Sequence, residues 1–355
     1  MRETLFTVGP VEMYPETLEQ GGKQLPYFRT DEFSLVVREC DDGLRALAGA
    51  PTGSRTAILT CSGTGAMEAT VVNFLSGSER ALIVRGGSFG ERFCEICSDD
   101  GIPFDAVHVE PGRALDMDHL ESRDISGCKA LYVNACETST GALYDISALG
   151  DFCRRRGLFL VVDGISAFLC DELNMEKMGV DALIVSSQKG LALPPGLSMI
   201  VIGPRLLARL HDIRPRAHYL GLQRHLKDME RGQTPFTPAV GIILQLHSRL
   251  ETLNHIGAYA CIRKVSSLAQ HFREGLNGLP VRIFPERPSN ALTALTPQNG
   301  SSANDIYLRL KKEYGLVVTP NGGELRDKVF RVGHMGNIRV QDLDRVLSAL
   351  RKVMK

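Results

Sequence analysis

Two short segments carry the residue types best suited to chemistry. Ser-Ser-Gln-Lys-Gly at 186–190 and Val-Val-Asp-Gly at 161–164 each follow an apolar run that reads as a buried strand. A lysine and an aspartate at neighbouring strand ends can share one pocket. Pyridoxal 5'-phosphate requires such a pair: the amine of Lys189 would form a Schiff base with the coenzyme aldehyde, and the carboxylate of Asp163 would keep the pyridine nitrogen protonated so that the ring accepts electrons. Taken alone, Lys189 also fits a solvated strand end, and Asp163 a helix cap or a structural ion pair. A carboxylate directly after Leu-Phe-Leu-Val-Val is costly to bury without a cation, and this favours the pairing.

Other candidates also fall just after apolar runs. Ser62-Gly63-Thr64-Gly65 enters a helical pattern, where free N–H groups and the positive end of the helix dipole suit a phosphate. No Gly-Lys-Ser/Thr follows, so it is not a Walker loop. In Gly86-Gly87-Ser88-Phe89, the glycines allow close ligand approach and Phe89 can stack on a planar ring. Asn134-Ala135-Cys136-Glu137-Thr138-Ser139-Thr140-Gly141 places the Thr138 hydroxyl where it can meet a ligand oxygen. Late in the chain, Phe330-Arg331-Val332-Gly333 puts an arginine on a strand, able to clamp a carboxylate. Each also has a plain reading, as a capped turn, a core-filling phenylalanine or a surface arginine.

The elements that must position these residues alternate from about 55 to 203. Apolar runs at 57–60, 82–84, 130–133, 158–162, 182–185 and 198–202 read as strands, with helical patterns at 65–76, 89–99 and 147–156. This order predicts an α/β fold with a mostly parallel sheet covered by helices, binding ligand beyond the carboxyl ends of its strands. Residues 204–239, rich in Arg, His and Pro, read as an irregular segment, and 240–276 as a long helical pattern. Strand, strand, helix, strand, strand, helix then follow, predicting a smaller α+β unit. The expected organisation is an N-terminal segment at 1–14 near the site, a large coenzyme-binding domain at 15–250, and a small C-terminal domain at 251–355.

The formal net charge of zero gives no global field favouring nucleic acid or an anionic membrane. No apolar run approaches the roughly 18 residues of a membrane helix, and the N-terminus has no secretory h-region. Nine cysteines, an odd number, read as reduced thiols in a cytoplasmic protein. Cys94 and Cys97, the one Cys-x-x-Cys pair, have no second pair with which to hold a metal, and no metal site is expected.

Together these motifs resemble the class V aminotransferases among the fold type I pyridoxal phosphate enzymes. The resemblance runs from Val8-Gly9-Pro10 to the Phe-Arg-Val-Gly segment. Gln188-Lys189 with Leu-Pro-Pro-Gly is similar to the alanine–glyoxylate and serine–pyruvate branch. Glu137-Thr138-Ser139-Thr140-Gly141 and Phe28-Arg29-Thr30-Asp31-Glu32-Phe33 are similar to the 2-aminoethylphosphonate–pyruvate branch. The resemblance implies that Lys189 holds the coenzyme and shuttles the proton, and that Asp163 pairs with the ring nitrogen under a stacked Phe89. It implies that Ser62, Gly63, Thr64 and Gln188 meet the phosphate, Thr138 the phenolic oxygen, and Thr237 the phosphate in the partner subunit of a homodimer. Arg331 would bind the substrate carboxylate, Gly9 would pass the substrate mouth, and Arg29 would meet a second anionic group. The implied reaction is ping-pong transfer from a small amino donor, of alanine, serine or 2-aminoethylphosphonate type, to pyruvate or glyoxylate. Two rivals share the fold: a lyase or cysteine desulfurase-like enzyme, against which Gln188 and the cysteine-free region 315–330 weigh, and a non-catalytic coenzyme-binding sensor.

Overall fold

The computed structural model describes residues 3–355. Its centre is a seven-stranded sheet in the order Arg55–Leu59, Ser198–Ile202, Ala182–Ser186, Phe159–Asp163, Cys128–Asn134, Arg80–Arg85, Phe104–His108. Only Ser198–Ile202 runs against the rest, pairing antiparallel with both neighbours. The sheet is therefore mixed but mostly parallel, and six carboxyl ends share one edge. Side chains alternate between two buried apolar clusters, one on each face. Leu82, Val84, Leu131, Val133, Val162 and Val185 point into one. Ala81, Ile83, Ala130, Tyr132, Val161 and Ile184 point into the other. Burial on both faces explains why these strands read as continuous apolar runs.

The helix Asp31–Leu47 covers one face for reasons visible in its sequence. The Thr30 hydroxyl accepts from the Phe33 N–H at 3.2 Å and caps its start. Phe33, Val37, Cys40, Leu44 and Leu47 then recur at helical spacing and are buried. They pack toward the helix Val240–Ile256.

After Gly257 the chain builds a three-stranded antiparallel sheet in the order Val281–Ile283, Leu292–Pro297, Phe330–Gly333. The helices Ala258–Glu274, Ala303–Tyr314 and Val340–Val353 pack on it around a third apolar cluster. The N-terminal segment belongs to this layer too. Thr4–Leu5 pairs parallel with Leu316–Val317, and Phe6 is fully buried in the third cluster.

Three expectations need adjusting. Phe104–His108 is a seventh strand; it lies at the sheet edge and is only partly buried, so it never formed a continuous apolar run. The single helical pattern at 240–276 is two helices broken at Gly257, whose φ of +81° leaves the helical region. The irregular stretch 204–239 contains two short helices, Pro204–Leu210 and Leu222–Met229.

Candidate active site

Strand register builds the site. Asn134 and Asp163 close adjacent parallel strands and lie opposite each other. The Asn134 side chain donates to Asp163 Oδ2 at 2.6 Å, and the Ile165 N–H donates to Oδ1 at 2.8 Å. Both carboxylate oxygens are thus aimed and fixed. Burial dominates their electrostatics: despite these donors, the Asp163 carboxyl is pushed up to about 6. A buried carboxyl held this way is prepared for a cation.

Lys189 lies in the turn after Ala182–Ser186 and is 7% exposed. Its Nζ donates to Ser166 Oγ at 3.0 Å, and Ser166 Oγ is 2.5 Å from Thr138 Oγ1. The amine lies 5.9 Å from the centre of the Phe89 ring. Burial brings the lysine down to about 8, with the Arg331 cation adding to the drop and Asp163 opposing it. An amine in that range is neutral often enough to act as nucleophile and base. Gly9 packs directly on the lysine stem. A Cβ there would lie 2.9 Å from Lys189 Cε, and the φ of +126° also favours glycine.

Phe89 is held by Glu137, a carboxylate with no exposed surface. Glu137 Oε2 accepts the N–H groups of Phe89 and Gly90, each at 3.1 Å, at the start of the helix Ser88–Asp99. Its Oε1 accepts from the Ser139 N–H and hydroxyl at 3.1 and 2.6 Å. Thr138 lies between these two anchored residues. On its far side the Thr138 carbonyl accepts from Arg331 Nη1 at 2.8 Å, while Arg331 Nη2 donates to the Pro320 carbonyl at 2.5 Å. Arg331 is 8% exposed, its Nε has no partner, and burial brings it down to about 10. Its hydrogen-bond partners are neutral carbonyls, so its charge remains available to an anion.

The phosphate cradle expected at 62–64 is the start of the helix Gly63–Phe74, which no side chain caps. Gly63 is buried beside Ile165 and Ser186. Ser186 Oγ donates to Gln188 Oε1 at 2.9 Å, which places Gln188 beside the same helix start.

The structure therefore brings Gly9, Gly63, Phe89, Thr138, Asp163, Gln188, Lys189 and Arg331 to one sheet edge. Arg29 is placed elsewhere. Its Nη1 donates to Gln233 Oε1 and the Thr234 carbonyl at 3.0 and 2.7 Å, and its guanidinium lies over the Phe28 ring. Thr237 is exposed, three residues beyond Thr234. Besides the Glu137 anchor, two contributors went unread in the sequence. Ser166 joins Lys189 to Thr138, and Arg92 donates to Thr64 Oγ1 at 3.1 Å with its guanidinium over Phe89. The i,i+3 spacing of Phe89 and Arg92 on one helix was the available signal for the second. Ser166 had none beyond standing three residues after Asp163. Among the described residues no cluster of His, Cys, Asp or Glu could hold a metal ion.

The site and sheet define a class before any comparison: a mostly parallel α/β fold with a buried lysine and aspartate at its ligand-binding edge. A solved aspartate aminotransferase of subgroup IV from Thermus thermophilus superposes with a TM-score of 0.92, at 30% identity, over 99% of both chains. An alanine–glyoxylate aminotransferase from Nostoc sp. does so with a TM-score of 0.94, at 25% identity, covering 100% of this chain and 96% of its own. The small subunit of a soluble hydrogenase from Synechococcus sp. is 30% identical across 99% of this chain and 92% of its own length. The architecture is that of the fold type I aminotransferases. The aminotransferase class-V model matches residues 26–325, and the chain belongs to that family.

Proposed function

We propose that the enzyme uses pyridoxal 5'-phosphate to move an amino group from a small donor, of alanine, serine or 2-aminoethylphosphonate type, to pyruvate or glyoxylate in two alternating half-reactions. The observation that carries this reading is the buried Lys189 amine, poised near neutral pH, at the edge that also presents Asp163.

The residues present fit the coenzyme. The uncapped helix start at Ser62, Gly63 and Thr64, with Gln188 beside it, would hold the phosphate. Asp163 would pair with the ring nitrogen, Phe89 would cover a ring face, and Thr138 would meet the phenolic oxygen. When bound, the coenzyme supplies an electron sink for charge developing at the substrate carbon. Lys189 does the proton work: it would hold the coenzyme covalently at rest, then take the proton from the substrate Cα at Nζ. Ser166 and Thr138 keep that nitrogen in place. Arg331 would orient the substrate by its carboxylate, using the unpaired Nε and the edge that now contacts two carbonyls.

Arg331→Ala is expected to raise the KM for the keto acid about 10- to 100-fold, the loss of a charge-assisted hydrogen-bond pair, with much less change in coenzyme affinity. Steady-state kinetics beside a coenzyme titration checks this; an unchanged KM removes Arg331 from the role.

A cysteine desulfurase-like chemistry is disfavoured by the thiols facing Lys189. Burial pushes Cys136 and Cys170 far up, so neither is available as a thiolate nucleophile.

The working unit we propose is a homodimer with Thr237 reaching the partner's phosphate. The Thr237 side chain is solvent-facing. Leu18, Leu25, Tyr27 and Leu35 are large exposed apolar residues in the N-terminal region, and Leu25 lies beside Gly241 just beyond Thr237. In the same dimer, Arg29 would be a peripheral contact for a second anionic group. The residues 15–250 would carry the coenzyme, and 251–355 with the segment 1–14 would close over the substrate. Nine free cysteines accord with a reducing, cytoplasmic setting, and no helix among the described residues is long and apolar enough to cross a membrane.

A further inference from the structure

A cavity of about 240 Å³ lies behind the Lys189 turn, between the helices Val240–Ile256 and Ala258–Glu274. Its walls are largely apolar: Leu169, Leu253, Ile256, Val265 and Met335 line it. Into this lining the fold places Arg249, only 7% exposed. A buried guanidinium is costly without an anion. Yet its one hydrogen bond is a long one, from Nε to the Leu191 carbonyl at 3.3 Å, and no ion pair to Arg249 occurs among the described residues. What compensates it is the Tyr14 ring, 4.0 Å from the guanidinium carbon. A second cation shares that ring. Lys264 Nζ lies 5.2 Å from the ring centre and donates to the Tyr14 hydroxyl at 2.9 Å. Lys264 is solvent-exposed at the rim, so an anion beside the ring would chiefly offset the buried Arg249 charge, with Lys264 in reach as a second donor. Among the described residues, the only carboxylate lining the cavity is the exposed Glu16 at its rim.

From this geometry we infer that the cavity is a binding site for a short aliphatic carboxylate, distinct from the Lys189 site. Arg249 and Lys264 take the carboxylate and the leucine, isoleucine, valine and methionine walls take the tail. The apolar lining selects against a bare inorganic anion, which would lose its hydration with nothing in exchange. The position gives occupancy a consequence. Gly190 also lines the cavity, and Leu191, whose carbonyl holds Arg249, is two residues from Lys189. A carboxylate that draws Arg249 away from that carbonyl loosens the turn that sets Lys189.

The test is calorimetric titration of the coenzyme-loaded enzyme with butyrate, repeated on three variants. Arg249→Leu keeps the volume apolar and removes the charge, so it is expected to fold and to bind butyrate at least about tenfold more weakly. Ala260→Phe, from a residue lining the cavity, is expected to abolish binding by filling it while leaving Arg249 in place. Arg331→Ala is expected to leave this heat unchanged. Without butyrate, Arg249→Leu also loses the Leu191 contact, so its kcat is expected to shift in the same direction as that of the butyrate-saturated wild type. Butyrate heat that survives in Arg249→Leu and Ala260→Phe but disappears in Arg331→Ala would assign the carboxylate to the substrate site and overturn the inference. Absence of any saturable heat in the wild type would overturn it as well, leaving a cavity that holds only water.

Discussion

Lys189→Ala is expected to lower transamination by at least about 10⁴-fold, because one substitution removes both the covalent anchor and the proton-transferring group. In the proposed reaction both tasks fall to this amine. Lys189 follows the carboxyl end of the strand that pairs with the one ending at Asp163, and its amine is held by Ser166 and pushed down to about 8. The companion readout is covalent: borohydride reduction of the loaded wild type should leave a pyridoxyl mass on the peptide carrying Lys189, and the variant should carry none. Lys189→Arg should be as inactive as the alanine variant, since it restores charge and length without a titratable amine. Turnover near wild type in either variant, or a pyridoxyl adduct on another lysine, would remove Lys189 from its role.

Asp163→Asn should separate function from stability. Activity is expected to fall about 10²- to 10³-fold, the usual cost of losing a preorganised electrostatic partner. The coenzyme-free protein should respond in the opposite sense. The folded carboxyl titrates near 6, above the value of about 3.9 in an unfolded chain, so the folded state binds the proton more tightly. The wild type therefore loses stability as pH rises from about 4 to about 6, and the loss is complete above that. A shift of about two units amounts to about 3 kcal/mol. Asparagine has no charge to bury, and its amide can still accept from the Ile165 N–H. Denaturation of the coenzyme-free proteins should thus find the variant equal to wild type near pH 4 and more stable above pH 6. A variant less stable at pH 7.5 would mean that Asp163 is a structural ion-pair partner and not a carboxyl held ready for a ligand cation.

Much of this site was legible because its chemistry and its strand ends coincide. Lys189, Asp163, Gly63 and Phe89 each follow a run buried on both faces, so sequence order gave their shared edge. Arg331 was legible as a cation on a strand, but its hold on the Thr138 carbonyl depends on how the C-terminal sheet docks. Ser166 and Glu137 were not legible as anchors, because a hydroxyl or carboxylate acquires that role only from partners distant in sequence. Phe104–His108 escaped because an edge strand needs no continuous apolar run. Within one chain the Arg29 guanidinium braces Gln233 and Thr234, a contact its motif did not announce. Thr237 faces outward, and its expected contact is a matter for two chains.

The most direct test of the central claim is a half-reaction on the purified, coenzyme-loaded protein. Alanine, serine and 2-aminoethylphosphonate would each be added alone while the coenzyme spectrum is followed. The account predicts that one of them converts the coenzyme from its carbonyl to its amine form, and that pyruvate or glyoxylate then restores it. A spectrum unmoved by all three donors, or amine-form coenzyme that neither keto acid restores, would contradict it.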